Sequence, residues 1–157
     1  MDFAWTDTQN KLYEDAVEFG RSHLQPQKDS PQKMSEVWAS LIAFGAPGLI
    51  IPKELGGQGH NALNTARILE GLGYGSGSTG HLFALCAHLF GVAAPLLRFG
   101  TDDQKAGWLP LLASGQRIGA HATTEPAAGS NPAEMRCTAK QTDTGYTIDG
   151  SKCYITN

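Results

Sequence analysis

The sequence predicts an α+β protein in which an N-terminal all-α helical bundle precedes a partial antiparallel β-domain, an incomplete β-barrel. Apolar residues recur with the helical period, between helix-capping signals, as far as Gly115. Beyond Gly115 apolar and polar residues alternate with a period of two, which is typical of half-buried strands. We therefore expect an N-terminal helical domain over residues 1–115 and the first part of a β-domain over residues 116–157, where it would be truncated.

Capping signals and apolar spacing predict the first two helices. Thr6 and Gln9 have the spacing of a capping box, so a helix should begin at Thr6. Ser30-Pro31 repeats a start signal for the second helix, and Gly45 ends it. The apolar side chains of this helix follow the i, i+3, i+4, i+7 pattern: Met34, Val37, Trp38, Leu41 and Ile42.

Three more helices are expected after a loop that spans residues 48–59. The first covers residues 63–73. Residues 82–97 are apolar almost all round, but the stretch is short for a membrane span and contains Pro95, so we expect the central helix of the bundle. Thr101 and Gln104 form a second capping box, which begins a last helix that runs to Gly115.

The alternating region predicts about four strands. Residues 118–123 form the first, and residues 135–140 and 146–149 form the next two. Asp149-Gly150 is predicted to be a tight hairpin turn that leads into a last strand over residues 153–156. In such a strand Tyr154 and Thr156 would project to one side and Ile155 to the other. Because the sequence stops within this strand, we expect unpaired sheet edges.

Composition excludes several classes of function. The net charge of −3 and the lack of a basic run argue against nucleic acid as a partner. The amino terminus has neither the cationic start nor the apolar core of a signal peptide. Cys86, Cys137 and Cys153 have no disulfide or zinc spacing. We expect a cytoplasmic, reduced protein with no metal site and no membrane partner.

Three local features have simpler structural explanations. Residues 75–80 match the dinucleotide pattern G-x-G-x-x-G, but a helix precedes them where the motif requires a strand, so an inter-helix loop is favoured. His81 and His88 share a helix face without other metal ligands beside them, which indicates core or interface histidines. Cys86 has no nearby cation and should be inert packing.

The polar segment 119–131 carries the most information about function. Glu125 and Pro126 set a turn, after which Gly129 would let backbone N–H groups approach an oxyanion and Ser130 would add a hydroxyl donor. That chemistry suits a pyrophosphate, although physical reasoning alone favours an ordinary polar turn. By the same reasoning Tyr154 is a cross-strand packing aromatic.

Two motifs favour the binding role of this segment over an ordinary turn. TEPAAGSN at 124–131 and GSKCYITN at 150–157, with the spacing between them, closely resemble the two flavin-binding signatures of the acyl-CoA dehydrogenase family. Residues 48–59 and 98–115 resemble its inter-helix loop and the last helix of its N-terminal domain. Residues 85–89 further resemble the branch that oxidises amino-acyl groups tethered to carrier proteins.

The resemblance implies a FAD-dependent dehydrogenase that removes an α-proton and a β-hydride from an acyl thioester, of CoA or of a carrier protein, with the hydride passing to flavin N5. It implies that Ser130 also contacts substrate, that Tyr154 stacks on the flavin ring, and that Thr156 bonds near N5. The cofactor-binding residues that it implies are His121, Ala122, Thr123, Thr124, Gly129, Ser130, Tyr154, Ile155 and Thr156. This sequence departs from the family pattern at His121, at Tyr154 where Trp is usual, and at Asn131 where Asp is usual.

The resemblance also implies that the catalytic base lies outside these residues. In the family that carboxylate belongs to a C-terminal helical domain, and the counterpart of Glu125 is not the base. We therefore expect no catalytic residue here, no activity of this chain alone, and completion by a second chain or a missing C-terminal region in a homo- or hetero-oligomer. The alternatives are a non-catalytic interaction module that keeps the fold, or another flavoenzyme of the same superfamily, such as a nitroalkane oxidase or a hydroxylase that uses reduced flavin.

Overall fold

The computed structural model describes residues 4–25 and 33–157, in which a helical bundle precedes one small sheet. The helices are α1 (Asp7–His23), α2 (Met34–Phe44), α3 (Ala62–Ser76), α4 (Thr79–Cys86), α5 (Ala94–Phe99) and α6 (Asp102–Ala113), with a π-helical segment (Ala87–Ala93) between α4 and α5. Short 3₁₀ turns cover Ala46–Gly48, Lys53–Leu55 and Pro132–Glu134. The sheet consists of β1 (Thr138–Thr142) and β2 (Gly145–Asp149).

The local signals for helix ends are confirmed. Thr6 and Gln9 form a full capping box, in which the Gln9 N–H donates to the Thr6 hydroxyl and the Thr6 N–H donates to the Gln9 side chain. Thr101 and Gln104 do the same at the start of α6. Gly45 ends α2 with a left-handed φ of 78°. The Ser30-Pro31 start signal lies outside the described residues.

Helices α1 and α3 pack closely because glycines line their crossing. A Cβ added at Gly71 would lie 2.5 Å from the carbonyl oxygen of Tyr13, and one at Gly20 would lie 3.0 Å from the backbone of Gly75. One hydrophobic core lies beside this crossing, between the helices α1, α2, α3 and α4 and the π-helical segment. It contains Leu24, Val37, Leu41, Leu49, Ile68, Leu72, Leu85 and Leu89. A second cluster lies under α6 and contains Ile51, Ala93, Leu109, Leu112 and Ala113.

The apolar stretch forms one helical rod from Thr79 to Phe99, as expected for the central helix. By length and composition alone this rod could cross a membrane, a test that the core helix of a soluble protein also passes. Leu85, His88 and Leu89 are fully buried within the bundle. Pro95 does not interrupt the rod, because it lies in the first turn of α5, where a proline is tolerated.

The strand prediction was wrong in number, although the helical bundle followed by an open antiparallel sheet is confirmed. Among the described residues only β1 and β2 form a ladder, with Thr138 opposite Asp149 and Thr142 opposite Gly145. Residues 118–123 and 153–156 have no ladder. A strand needs a neighbour that takes its backbone hydrogen bonds along its length, and the bond from the Cys153 N–H to the Thr124 carbonyl oxygen is the one such bond these segments make among the described residues.

The hairpin turn predicted at Asp149-Gly150 does not form. The chain turns at residues 143–144, and Asp149 is the last residue of β2. Gly150 has a φ of 144° and lies against Cys137, so it carries the chain away from the sheet. Tyr154 has a left-handed φ of 57°, which breaks the extended backbone, so the expected alternation of residues 154–156 on a strand is wrong.

Candidate functional site

The structure brings the two sequence motifs side by side. The Cys153 N–H donates to the carbonyl oxygen of Thr124 at 3.0 Å, and Lys152 Nζ donates to the carbonyl oxygen of Thr123 at 2.9 Å. The segments around residues 123–125 and 152–153 are therefore neighbours, although the β1–β2 hairpin separates them in sequence. We call them the first and second motif segments.

Glu125 organises the first motif segment. Its side chain is only 5% exposed, and its carboxylate accepts hydrogen bonds from the N–H of Arg136 at 2.7 Å, the N–H of Cys137 at 3.0 Å and Lys152 Nζ at 2.9 Å. Its backbone also exchanges both hydrogen bonds with Ala128, which closes the turn between them. These donors, the Arg136 N–H foremost, hold the pKa of Glu125 well below its usual value.

The Glu125–Lys152 ion pair was missed by sequence reasoning. Glu125 was assigned to a turn, and no role was assigned to Lys152. The hydrogen bond to Glu125 raises the pKa of Lys152, so both partners are charged at neutral pH. One signal was present: each motif carries a single charged residue, and the two charges are opposite.

His88 joins the bundle to the chain that enters the first motif segment. Its side chain is fully buried, as expected for a core histidine. The Gly119 N–H donates to His88 Nδ1 at 3.0 Å, so Nδ1 carries no proton, and Nε2–H donates to the carbonyl oxygen of Pro47 at 3.2 Å. Burial lowers the pKa of His88, which agrees with this neutral form.

Further contacts fix residues 119–121 against the central helix. His121 Nδ1 lies 2.9 Å from the carbonyl oxygen of Gly91. A Cβ added at Gly119 would lie 2.7 Å from Val92, so only glycine fits there without movement. The Asn157 side-chain amide donates to the carbonyl oxygens of Ala84 and Gly119, at 3.0 Å each. The end of the second motif is thus attached to the bundle at the same place.

The residues proposed from sequence for cofactor binding present open donors. His121, Ala122, Gly129, Ser130 and Tyr154 are exposed, whereas Thr123, Thr124, Ile155 and Thr156 are half-buried. Within residues 119–157 the hydroxyls of the three threonines and of Ser130 have no protein partner, and neither do the N–H groups of Gly129 and Ser130. Space around Gly129 is open. This donor set fits phosphate and ring-edge acceptors of a nucleotide, and the individual roles stay predictions.

The remaining sequence features have no part in this site. The glycine pattern at 75–80 covers the end of α3, a left-handed cap at Gly77 and the start of α4, so no strand precedes it. Burial raises the pKa of Cys86, which keeps the thiol protonated and unreactive. Among the described residues no group of three or more His, Cys, Asp or Glu side chains could hold a metal ion.

Comparisons with known proteins agree along the whole chain. The family profile described as "Acyl-CoA dehydrogenase, N-terminal domain" matches residues 6–116. An L-prolyl-[peptidyl-carrier protein] dehydrogenase of Serratia sp. is 38% identical over 163 residues, covering 100% of this chain and 42% of that protein. The mitochondrial isovaleryl-CoA dehydrogenase of Solanum tuberosum is 33% identical over 158 residues, covering 96% of this chain and 38% of that protein.

Solved structures show the same likeness. The structure described as PigA with FAD and proline superposes with a TM-score of 0.86 at 35% identity, covering 99% of this chain and 42% of that chain. The chain spans about two fifths of the length of the curated relatives it matches.

Proposed function

Because this chain belongs to the acyl-CoA dehydrogenase family, we propose that it forms the N-terminal portion of a FAD-dependent dehydrogenase that acts on acyl thioesters. The observation that carries the proposal is the contact between the two motif segments, made by Lys152 with Thr123 and by Cys153 with Thr124. This contact supports the proposal because Gly129 and Ser130 follow the first motif segment closely in sequence, and Tyr154 and Thr156 follow the second. The PigA structure with FAD, at 35% identity, supports the choice of cofactor.

The chain's own residues would hold FAD by hydrogen bonding and stacking. The N–H groups of Gly129 and Ser130, with the Ser130 hydroxyl, suit the pyrophosphate. Tyr154, whose side chain is 92% exposed, offers a ring for stacking on the flavin. The Thr156 hydroxyl suits a polar edge of the flavin ring. Bound FAD supplies the acceptor for the hydride that leaves the acyl group.

Glu125 is not the base that removes the α-proton in this proposal. Its carboxylate lone pairs are occupied by three donors, and its low pKa makes it a weak proton acceptor. As the family resemblance implies, the base in this proposal is a carboxylate outside these 157 residues. Glu125→Gln, assayed at saturating FAD, should keep a substantial fraction of the rate of flavin reduction. A loss of roughly a hundredfold or more, as expected for removal of a general base, would refute this assignment.

We propose a carrier-protein thioester as the substrate, with a prolyl group as its acyl part. Support comes from the Serratia relative, an L-prolyl-[peptidyl-carrier protein] dehydrogenase at 38% identity, against 33% for the isovaleryl-CoA dehydrogenase. The likeness to PigA bound to FAD and proline points the same way.

Anaerobic flavin reduction tests both parts of the proposal. The purified protein, completed by the portion that supplies the base and reconstituted with FAD, is mixed with L-prolyl carrier protein, with isovaleryl-CoA, or with carrier protein that lacks the prolyl group. Bleaching of the visible flavin absorbance with the first substrate alone is the expected result. Bleaching with isovaleryl-CoA instead would leave the dehydrogenase proposal standing and overturn the carrier substrate. No flavin binding would overturn the proposed function.

A further inference from the structure

We infer that Lys152 is a positioning residue: its ammonium group sets how the two motif segments lie beside each other, and FAD binding depends on that spacing. The inference deepens the proposed function and rests on it for the part that concerns FAD. The Lys152 side chain acts through its contacts with the Thr123 carbonyl oxygen and with Glu125. Lys152 therefore need not touch the cofactor.

The contacts of Lys152 join three parts of the chain. Nζ donates to the Thr123 carbonyl oxygen and to Glu125 Oε1, each at 2.9 Å, and lies 3.6 Å from the sulfur of Met135. Its side chain is 25% exposed, so most of it is withdrawn from water. Hydrogen bonds to charged groups that are shielded in this way are stronger than neutral ones.

Backbone contacts alone hold the segments weakly. Within the described chain, the Cys153 N–H to Thr124 bond is the one backbone hydrogen bond between residues 150–157 and residues 119–131. This bond fixes one point, and the Asn157 side chain, which donates to the Gly119 carbonyl oxygen, fixes the far ends of the two ranges. Within the motif segments, Lys152 adds a point on Thr123 and another on Glu125.

Removing the ammonium group of Lys152 should change the spacing between the two motif segments without unfolding the protein. Without Lys152, Glu125 keeps the N–H groups of Arg136 and Cys137, so its carboxylate is still paired. The helical core makes none of these contacts. Lys152→Met preserves the apolar stem and removes only the charge and its donors. Lys140→Met is the matched control, since Lys140 is exposed on β1 of the same hairpin and has no ion pair in the described residues.

Two measurements on the purified protein test the inference. In the cofactor-free protein, Lys152→Met should speed amide hydrogen exchange in peptides covering residues 123–125 and 152–156 and leave exchange in α1 and α3 unchanged. In FAD titrations it should raise Kd roughly tenfold or more, the size expected for loss of a charge-assisted hydrogen bond. Lys140→Met should change neither. Lys152→Arg, which keeps the charge, should restore most of the FAD affinity.

The outcomes separate this inference from the proposed function. If the wild-type protein binds no FAD, the proposed function fails, while the exchange data still decide whether Lys152 orders the segments. If the wild type binds FAD and Lys152→Met binds it equally well, the positioning role is overturned. The positioning role would also be overturned if Lys152→Met and Lys152→Arg lost equal FAD affinity, or if amide exchange became faster throughout α1 and α3. In a double-mutant cycle, the combined effect of Lys152→Met and Glu125→Gln should be smaller than the sum of the two single effects, and full additivity would contradict a shared contact.

Discussion

His88 offers the most direct test of how the bundle holds the first motif segment. His88→Leu removes the acceptor for the Gly119 N–H and the donor to the Pro47 carbonyl oxygen. Each backbone group left unpaired in a buried site costs about 1–3 kcal/mol, so we expect a loss of roughly 2–6 kcal/mol. In a domain of this size each kcal/mol lowers the melting temperature by about 2–4 °C. His23→Leu, at an exposed histidine, is the control and should cost less than about 0.5 kcal/mol.

The same histidine predicts a dependence of stability on pH. Since burial lowers the pKa of His88 below 6.5, the native state binds fewer protons than the unfolded state in acid. Its contribution is therefore complete above about pH 6.5 and falls on acidification, by at most about 1.4 kcal/mol per pH unit, until the native pKa is reached. Protonation of Nδ1 would break the bond from Gly119.

Urea unfolding at pH 7.5 and pH 5.5 measures both effects. The difference in unfolding free energy between wild type and His88→Leu should be large at pH 7.5 and smaller at pH 5.5, because the variant lacks the titrating group. Equal stability of the His88 and His23 variants would refute the buried hydrogen-bond argument. A difference that stays constant between the two pH values would refute the assignment of the neutral form.

Three further predictions concern other parts of the molecule. Gly71→Ala should destabilise the protein by about 1–3 kcal/mol in thermal or urea unfolding, because the added Cβ would lie 2.5 Å from the Tyr13 carbonyl oxygen. Gly73→Ala is the control on the same helix: the space around Gly73 is open, so this variant should be neutral or slightly stabilising. Tyr154→Ala should weaken FAD binding in a fluorescence titration without lowering the melting temperature, since the side chain is 92% exposed; a change in melting temperature alone would show that it packs. Glu125 has a lowered pKa, so its stabilising contribution is present above pH 4.5 and lost as pH falls further; Glu125→Gln should flatten the acid limb of the stability profile, and an unchanged limb would contradict its three hydrogen bonds.

The sequence predicts the helical part well because its signals are local. A capping box such as Thr6 and Gln9 needs only three residues of separation, and the left-handed end at Gly45 needs only a glycine after an apolar run. The end of α3 was predicted three residues too early, because Gly75 was interpreted as part of a loop. Gly75 in fact lies within the helix, where the close approach of α1 requires a glycine.

The sheet and the site could be predicted only in part because they depend on distant partners. Alternation over residues 153–156 resembles a strand, yet its backbone makes one hydrogen bond, from Cys153 to Thr124, in place of a ladder, and Tyr154 adopts a left-handed φ. Asp149-Gly150 has turn-forming residues, but the hairpin closes at residues 143–144. The Glu125–Lys152 pair joins residues of two separate motifs, which residue spacing alone does not bring together.

The π-helical segment sets the angle, about the axis of the central rod, between the side chains of α4 and those of α5. A π turn holds more residues than the 3.6 of an α-helix, so Ala87–Ala93 shifts the direction in which later side chains point. Winding the same seven residues as regular α-helix, with none removed, would turn everything after them by about 100°. Gly91 and Val92 would then no longer meet His121 and Gly119. Substitutions that convert these seven residues to regular α-helix should therefore be tolerated far less than substitutions in the surface loops.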